Sequence, residues 1–190
     1  MGDKDIKFKK ELFFGDRIYY IHPYYPKGDR SFGGVSLAIL SYKNGKPDAV
    51  TEFSTDLENA LDEFEKEERV EILGRTIMTV PSHEEYYWSH SLVATAGYLS
   101  VVYNLHNASM GLVRTKRHDK LAHGGDRSIN SHLESIEVDP DCYNKIKGHD
   151  IIVLDDVTTT GNSLRACKRI LEDKGARDVI LVSIARTIRS

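Results

Sequence analysis

The chain has 190 residues, 29% of them charged and 40% hydrophobic, and a formal net charge of −3. This is the make-up of one ordinary soluble globular domain with a sizeable core, and it argues against a general nucleic-acid-binding surface. Only two cysteines occur, Cys142 and Cys167, without CxxC or Cys/His ligand spacing, which excludes a disulfide framework and a structural zinc site.

In chain order, the first residues, MGDKDIKFKK, lack the apolar core of a signal peptide, and no run approaches transmembrane length. A cytoplasmic protein with no membrane partner is therefore expected. Residues 17–25 read as an extended piece, broken by Pro23, Pro26 and Gly28. A helix is predicted over 31–43, ending at the turn pair Asn44-Gly45. A second helix over 47–69 carries Phe53, Leu57, Ala60, Leu61 and Phe64 on one stripe opposite a face of Glu, Asp and Lys, so it lies on the surface with its acidic side in solvent.

From Arg75 onward the pattern becomes short apolar runs alternating with helices, as a parallel sheet with crossover helices requires. Strands are predicted at 76–80, 111–114, 136–138, 151–154 and 179–184, and helices at 88–107 and 164–174. The expected fold is α/β, a Rossmann-like parallel sheet flanked by helices. Residues 1–74 form an N-terminal extension with hood elements and residues 75–190 the core. Ligands of such sheets sit off the carboxyl ends of the strands. The segments beginning at Pro81, Thr115 and Asp155 all start there.

The most informative segment is DDVTTTGNS, residues 155–163, directly behind the apolar run 151–154. A Thr/Gly/Asn/Ser loop between a strand and a helix places unpaired backbone N–H groups and the positive end of the helix dipole together, which makes an anion site. The two preceding carboxylates would repel a bare phosphate. Together these features point to a ligand with a phosphate at one end and a hydroxyl-bearing or metal-bound part beside it, such as a sugar phosphate with Mg²⁺. A turn that merely caps a helix is the plainer alternative, since Asp and Thr tolerate turns. No GxxxxGK[ST] or GxGxxG run is present, so the usual nucleotide and dinucleotide loops are excluded.

IIVLDDVTTTGNS resembles the 5-phosphoribosyl 1-pyrophosphate (PRPP) motif of the type I phosphoribosyltransferases. The resemblance implies that Asp155 and Asp156 hold the ribose 2′ and 3′ hydroxyls, and meet Mg²⁺ either directly or through those hydroxyls. It also implies that Thr158, Thr159, Thr160, Gly161, Asn162 and Ser163 wrap the 5′-phosphate, with Val157 beside them among the PRPP-binding residues. The chemistry is consistent: carboxylates accept from ribose hydroxyls and favour the positive charge that develops on the ring as pyrophosphate leaves. Gly161 allows close backbone approach, and Thr159, Thr160 and Ser163 add hydroxyl donors.

A wider and more diffuse similarity is to the ComF-like branch of that family. It runs through residues 112–138, LVRTKRHDKLAHGGDRSINSHLESIEV, where Arg114, Arg127 and Asn130 stand in the matching arrangement, and through VILVSIARTIR and SLAILSYKNGKPDAVTEF. The cysteine-rich zinc piece with which ComF proteins commonly begin has no counterpart here. The cations of residues 114–127, with Gly124-Gly125 between them, read either as a solvated basic loop or as a mobile cover over the leaving pyrophosphate. Arg114 and Arg127 are its preferred catalytic members. Pro81, Ser82 and His83 fall where the family places its pyrophosphate loop. Tyr86, Tyr87 and Trp88 have two readings, packing or stacking on a base.

The resulting expectation is a Mg²⁺-dependent phosphoribosyltransferase that passes the phosphoribosyl group to a nitrogenous base and releases pyrophosphate. The alternative is a binding protein that keeps the sugar-phosphate site without turnover, as a PRPP or nucleotide sensor or a ComF-like factor in DNA handling. A homodimer is compatible with either.

Overall fold

The computed structural model describes residues 6–116 and 128–188. Two strands, β1 (Lys9–Phe13) and β2 (Asp16–Tyr24), open the chain as a hairpin, followed by helices α1 (Gly34–Lys43) and α2 (Pro47–Glu68). Then come β3 (Thr76–Thr79), α3 (His90–Val102), β4 (His106–Asn107), β5 (Leu112–Arg114), α4 (Ile129–Leu133) and β6 (Ile136–Val138). A 3-10 turn at Pro140–Lys145 leads to β7 (Asp150–Thr158), α5 (Asn162–Asp173) and β8 (Asp178–Thr187).

Six strands form one sheet in the order β1-β2-β8-β7-β3-β4, and every neighbouring pair is parallel except the β1–β2 hairpin. The central strands read as unbroken apolar runs because both faces are covered. Ile77, Ile152, Leu154, Val182 and Ile184 face a core layer with Ile39, Phe53, Leu57, Leu61 and Leu99 of α1, α2 and α3. Met78, Ile151, Val153, Val179 and Leu181 face the opposite layer with Leu164, Cys167 and Leu171 of α5. The stripe expected on α2 is buried at all five of its positions, and the helix ends at Arg69 in a left-handed conformation. Among the described residues, no helix is long and apolar enough to cross a membrane.

Four sequence expectations are corrected. The strands at 112–114 and 136–138 exist but pair antiparallel with each other in a separate ribbon, outside the main sheet. The edge beyond β3 is taken by β4, and Leu112, Ile136 and Val138 instead pack into the layer formed by Met78, Val80 and Ile151. The helix expected to reach 107 stops at Val102, where Asn104 turns left-handed and His106–Asn107 joins β3. The expected break after Leu154 is absent: β7 continues through both aspartates to Thr158, because β8 offers pairing partners at Ser183, Ala185 and Arg186. A central ladder here overrides turn propensity. Finally, β1 carries no apolar pattern that predicts it. With β2 it places residues 9–24 in the same sheet as the strands after Arg75, with β2 paired directly on β8.

The strand order reverses between β7 and β3, and the helices that follow them, α5 and α3, lie on opposite faces. A crevice opens where two crossovers diverge in this way, outside the carboxyl ends of the strands.

Candidate active site

A cavity of about 800 Å³ occupies that crevice. Its size falls within the range of small-molecule sites. It is lined from β7 and its loop by Asp155 to Ser163, from the end of β3 by Val80, Pro81, Ser82 and His83, and by Arg114 of β5. The described residues singled out from the sequence as binding or catalytic therefore meet in one place. Arg127 lies outside the described residues, as does most of the basic segment it closes.

Each carboxylate is held differently. Asp155 Oδ1 accepts the Asp156 N–H at 2.9 Å, and Asp156 Oδ1 accepts the Val157 N–H at 2.6 Å, so the backbone of β7 orients both. Burial pushes the Asp155 carboxyl up to about 7, and neighbouring Asp156 adds to the shift, while Lys43, the Asp156 N–H and Arg114 oppose it. Asp156 is paired with Lys43, whose Nζ lies 2.9 Å from Oδ1 and from Oδ2. Burial pulls the Lys43 ammonium down, yet Asp156, Asp155 and Tyr24 together outweigh it and the net shift is upward.

The raised Asp155 value has a consequence for stability. A carboxyl near 7 in the folded chain and near its ordinary value unfolded binds more protons when folded throughout the interval between the two. Stability is then greatest below the unfolded value and declines as pH rises through about 7. Thermal unfolding of the ligand-free protein at pH 5 and pH 8 is expected to differ by at least about 1 kcal/mol in favour of pH 5. The Asp155→Asn protein should lose that difference. Asp150, held below its ordinary range by the Arg177 guanidinium, acts with the opposite sign in a separate window near and below its ordinary value.

The loop after β7 is short, Thr159 to Gly161, and Gly161 caps α5 in the left-handed region with φ 72°. No side chain caps α5, whereas Ser89 caps α3 and Ser128 caps α4 by accepting N–H groups of their first turns. Its N-terminus, lined by Gly161, Asn162 and Ser163, opens on the cavity, and the dipole there favours an anion. Thr159 Oγ1 lies 2.9 Å from Thr187 Oγ1, which ties the loop to the end of β8.

The structure gives Gly161 a reason beyond close approach to a ligand. A Cβ there would stand 2.6 Å from Ile18 Cδ1 and 3.1 Å from the Phe13 ring, because the β1–β2 hairpin packs against the loop. Arg165 of α5 completes that brace, with Nε 3.0 Å from Asp16 Oδ2 and its guanidinium 4.8 Å from the Phe14 ring centre. Gly161→Ala is expected to cost about 1–3 kcal/mol from left-handed strain and the clash together. Urea denaturation measures it.

Arg114 does not sit as a free cation over the cavity. It is 2% exposed; Nε donates to the Ser82 carbonyl at 2.5 Å and Nη1 to Ser135 Oγ at 2.5 Å. Burial lowers its pKa, offset by the field of Cys167 and Asp155. The Tyr86 N–H donates to the Arg114 carbonyl at 3.0 Å, and Trp88 Nε1 donates to the Leu112 carbonyl at 2.7 Å. Three hydrogen bonds thus dock residues 82–88 on β5, and the ribbon serves as a buttress for the candidate pyrophosphate loop. Trp88 takes the packing reading. Tyr87, 45% exposed, lines the cavity, while Tyr86 is 64% exposed.

Sequence reasoning missed Lys43 and His132, both of which line the cavity, as does Tyr24, one of a tyrosine cluster whose role the sequence leaves ambiguous. His132, buried on α4, has Nε2 3.4 Å from Ser163 Oγ. Lys43 and His132 arrive from elements remote in the chain, and no local pattern marks them. Among the described residues, no group of three or more His, Cys, Asp or Glu side chains is placed to hold a metal. The acid pair fits Mg²⁺ only in company with ligand oxygens, which agrees with that ion's habit of keeping waters and sharing substrate phosphates.

No curated protein matches the chain. Solved structures similar to it include the following two. One, described as an analysis of an invariant aspartic acid in HPRTs, glutamic acid mutant, is 11% identical with a TM-score of 0.43, covering 81% of this chain and 79% of that one. The other, a hypoxanthine phosphoribosyltransferase from Staphylococcus aureus, is 9% identical with a TM-score of 0.36, covering 79% and 74%. Residues 101–189, which include β7, its loop and α5, match the family model for the phosphoribosyl transferase domain. Residues 101–189 are therefore similar to the phosphoribosyl transferase domain, and the chain folds as a mixed sheet of parallel strands flanked by helices.

Proposed function

We propose that the cavity binds PRPP and that the protein transfers its phosphoribosyl group to a nitrogenous base, releasing pyrophosphate. The observation that carries this reading is the placement of an uncapped helix N-terminus and two backbone-oriented carboxylates within one short chain segment, facing one cavity. That spacing suits a phosphate and a pair of vicinal hydroxyls on the same small molecule.

In this reading the N–H groups at the start of α5 and the hydroxyls of Thr159, Thr160 and Ser163 receive the 5′-phosphate. Asp155 and Asp156 accept the ribose hydroxyls and favour the positive charge that grows on the ring as the bond to pyrophosphate lengthens. Residues 81–83, of which Ser82 is held by Arg114, line the cavity where the pyrophosphate would rest. Mg²⁺, when bound with PRPP, supplies charge neutralisation for the pyrophosphate. A nitrogen of the acceptor base attacks the anomeric carbon, and the bond to the pyrophosphate oxygen breaks. The protein contributes position and preorganised charge.

The ComF-like branch assignment belongs to this proposal and rests on the segment with Arg114, Arg127 and Asn130. The deciding experiment is pyrophosphate release from PRPP and Mg²⁺ across a panel of purine and pyrimidine bases. Release with at least one base is the expected result. PRPP binding without release for any base would make the protein a sensor that has kept the site and lost turnover.

A further inference from the structure

Lys43 is the last residue of α1, and its partner Asp156 lies 113 positions further along the chain. The end of α1 is firmly placed. Ser91 Oγ donates to the Tyr42 carbonyl at 2.5 Å, Tyr42 Oη lies 2.9 Å from Thr95 Oγ1, and Thr95 Oγ1 lies 2.9 Å from Ser54 Oγ. This buried hydroxyl network joins α1, α2 and α3 beside the cavity, so the root of the Lys43 side chain is rigid. The side chain keeps 39% of its surface open, and the ammonium still contacts both oxygens of Asp156.

Two adjacent carboxylates at the mouth of an anion site create a difficulty. They repel phosphates, and they attract divalent cations whether or not a ligand is present. An ammonium at 2.9 Å relieves the first effect and counters the second, because a metal reaching Asp156 must displace it. Arg114, the other fixed cation on this cavity wall, is engaged with Ser82 and Ser135. Lys43 alone of the two is directed at the acid pair.

We infer that Lys43 is a resident counter-ion of the Asp155–Asp156 pair, a positioning residue that screens the carboxylates from the ligand's phosphates and keeps free divalent metal off the pair until metal arrives with the ligand. The inference rests on the PRPP reading for its ligand half and on the ion pair alone for its metal half. It explains why the acid pair carries no further metal-ligating side chains among the described residues. It also assigns a binding role to α1, an element that the motif at 155–163 does not include.

The test is calorimetry on the full chain as wild type, Lys43→Met, Lys43→Gln and Lys43→Arg, with Mg²⁺ alone, PRPP in chelator, and PRPP with saturating Mg²⁺. The two neutral variants should bind Mg²⁺ alone roughly tenfold tighter and metal-free PRPP roughly tenfold to a hundredfold weaker than wild type. Saturating Mg²⁺ should shrink the PRPP penalty to within about threefold, since the metal replaces the missing charge. Lys43→Arg should stay close to wild type in every arm.

Unchanged Mg²⁺ affinity in the folded neutral variants would overturn the metal-excluding role. A PRPP penalty of equal size with and without Mg²⁺ would mark Lys43 as merely structural, and tighter PRPP binding would make it a blocking group; either result overturns the screening role. If wild type binds PRPP in neither arm, the proposed function fails, and the arm with Mg²⁺ alone still decides the metal half.

Discussion

Replacing Asp155 and Asp156 together with Asn is expected to lower PRPP affinity in the presence of Mg²⁺ by about a hundredfold or more. A hydrogen bond to an ionised group is worth roughly 1.5–3 kcal/mol when the partner remains buried, and two are removed at once. The substitution is close to isosteric, so the fold should persist. Asp155 pairs with Ser183 across the ladder, and the side-chain oxygen of an asparagine introduced there can still accept the backbone N–H of residue 156. Lys43 loses a charged partner at the open side of the cavity, a small loss by itself. Calorimetry paired with circular dichroism separates a binding defect from unfolding. Unchanged affinity in the folded double variant would remove the carboxylates from the binding account.

Arg114→Met should have the second large effect, and chiefly on stability. The side chain is 2% exposed and supplies two hydrogen bonds that nothing nearby replaces, one to the Ser82 carbonyl and one to Ser135 Oγ. Removing both bonds, with the Ser82 carbonyl deprived of this donor while Ser135 Oγ still donates to the Ser131 carbonyl, is expected to cost about 2–3 kcal/mol. Residues 82–88 would keep only the Tyr86 and Trp88 bonds to β5. The variant should therefore lose affinity for PRPP more than for ribose 5-phosphate, which lacks the pyrophosphate. Urea denaturation and paired titrations give both quantities. A stability loss under about 1 kcal/mol, or equal losses for the two ligands, would contradict the buttress role.

The candidate site was legible in the sequence where its parts are consecutive. An apolar strand, two acids, a hydroxyl and glycine loop and a helix follow one another within residues 151–174, and each local preference agrees with the next. The helices α1, α2 and α5 and the strands β3, β7 and β8 were recognisable for the same reason, because burial on one or both faces writes a period into the chain. The brace under the loop was not legible. β1 reads KKELF, a charged edge strand with one buried residue, and the brace consists of contacts from its Phe13, and from Asp16 at the start of β2, to a loop and helix some 150 positions away.

Arg114 shows a different limit. The sequence marks it as a cation at a strand end but cannot tell a residue that closes over a ligand from one that is buried beneath a loop. Only the antiparallel pairing of β5 with β6, which brings Ser135 to its guanidinium, decides between them. Lys43 is the clearest case of a non-local partner. Its place at a helix C-terminus is unremarkable in sequence, where a basic residue is favoured by the dipole in any case. Its pairing with Asp156 depends on α1 being joined to α2 and α3 through the Tyr42 network.

If the crevice between β3 and β7 is the PRPP site proposed here, a calorimetric titration of wild-type protein with PRPP in the presence of Mg²⁺ reads it out. The account predicts one PRPP per chain with a dissociation constant at or below about 1 mM, and weaker competition by ribose 5-phosphate for the same site. A folded protein that gives no binding heat with PRPP at any temperature tried, and no protection against thermal unfolding by it, would contradict the account.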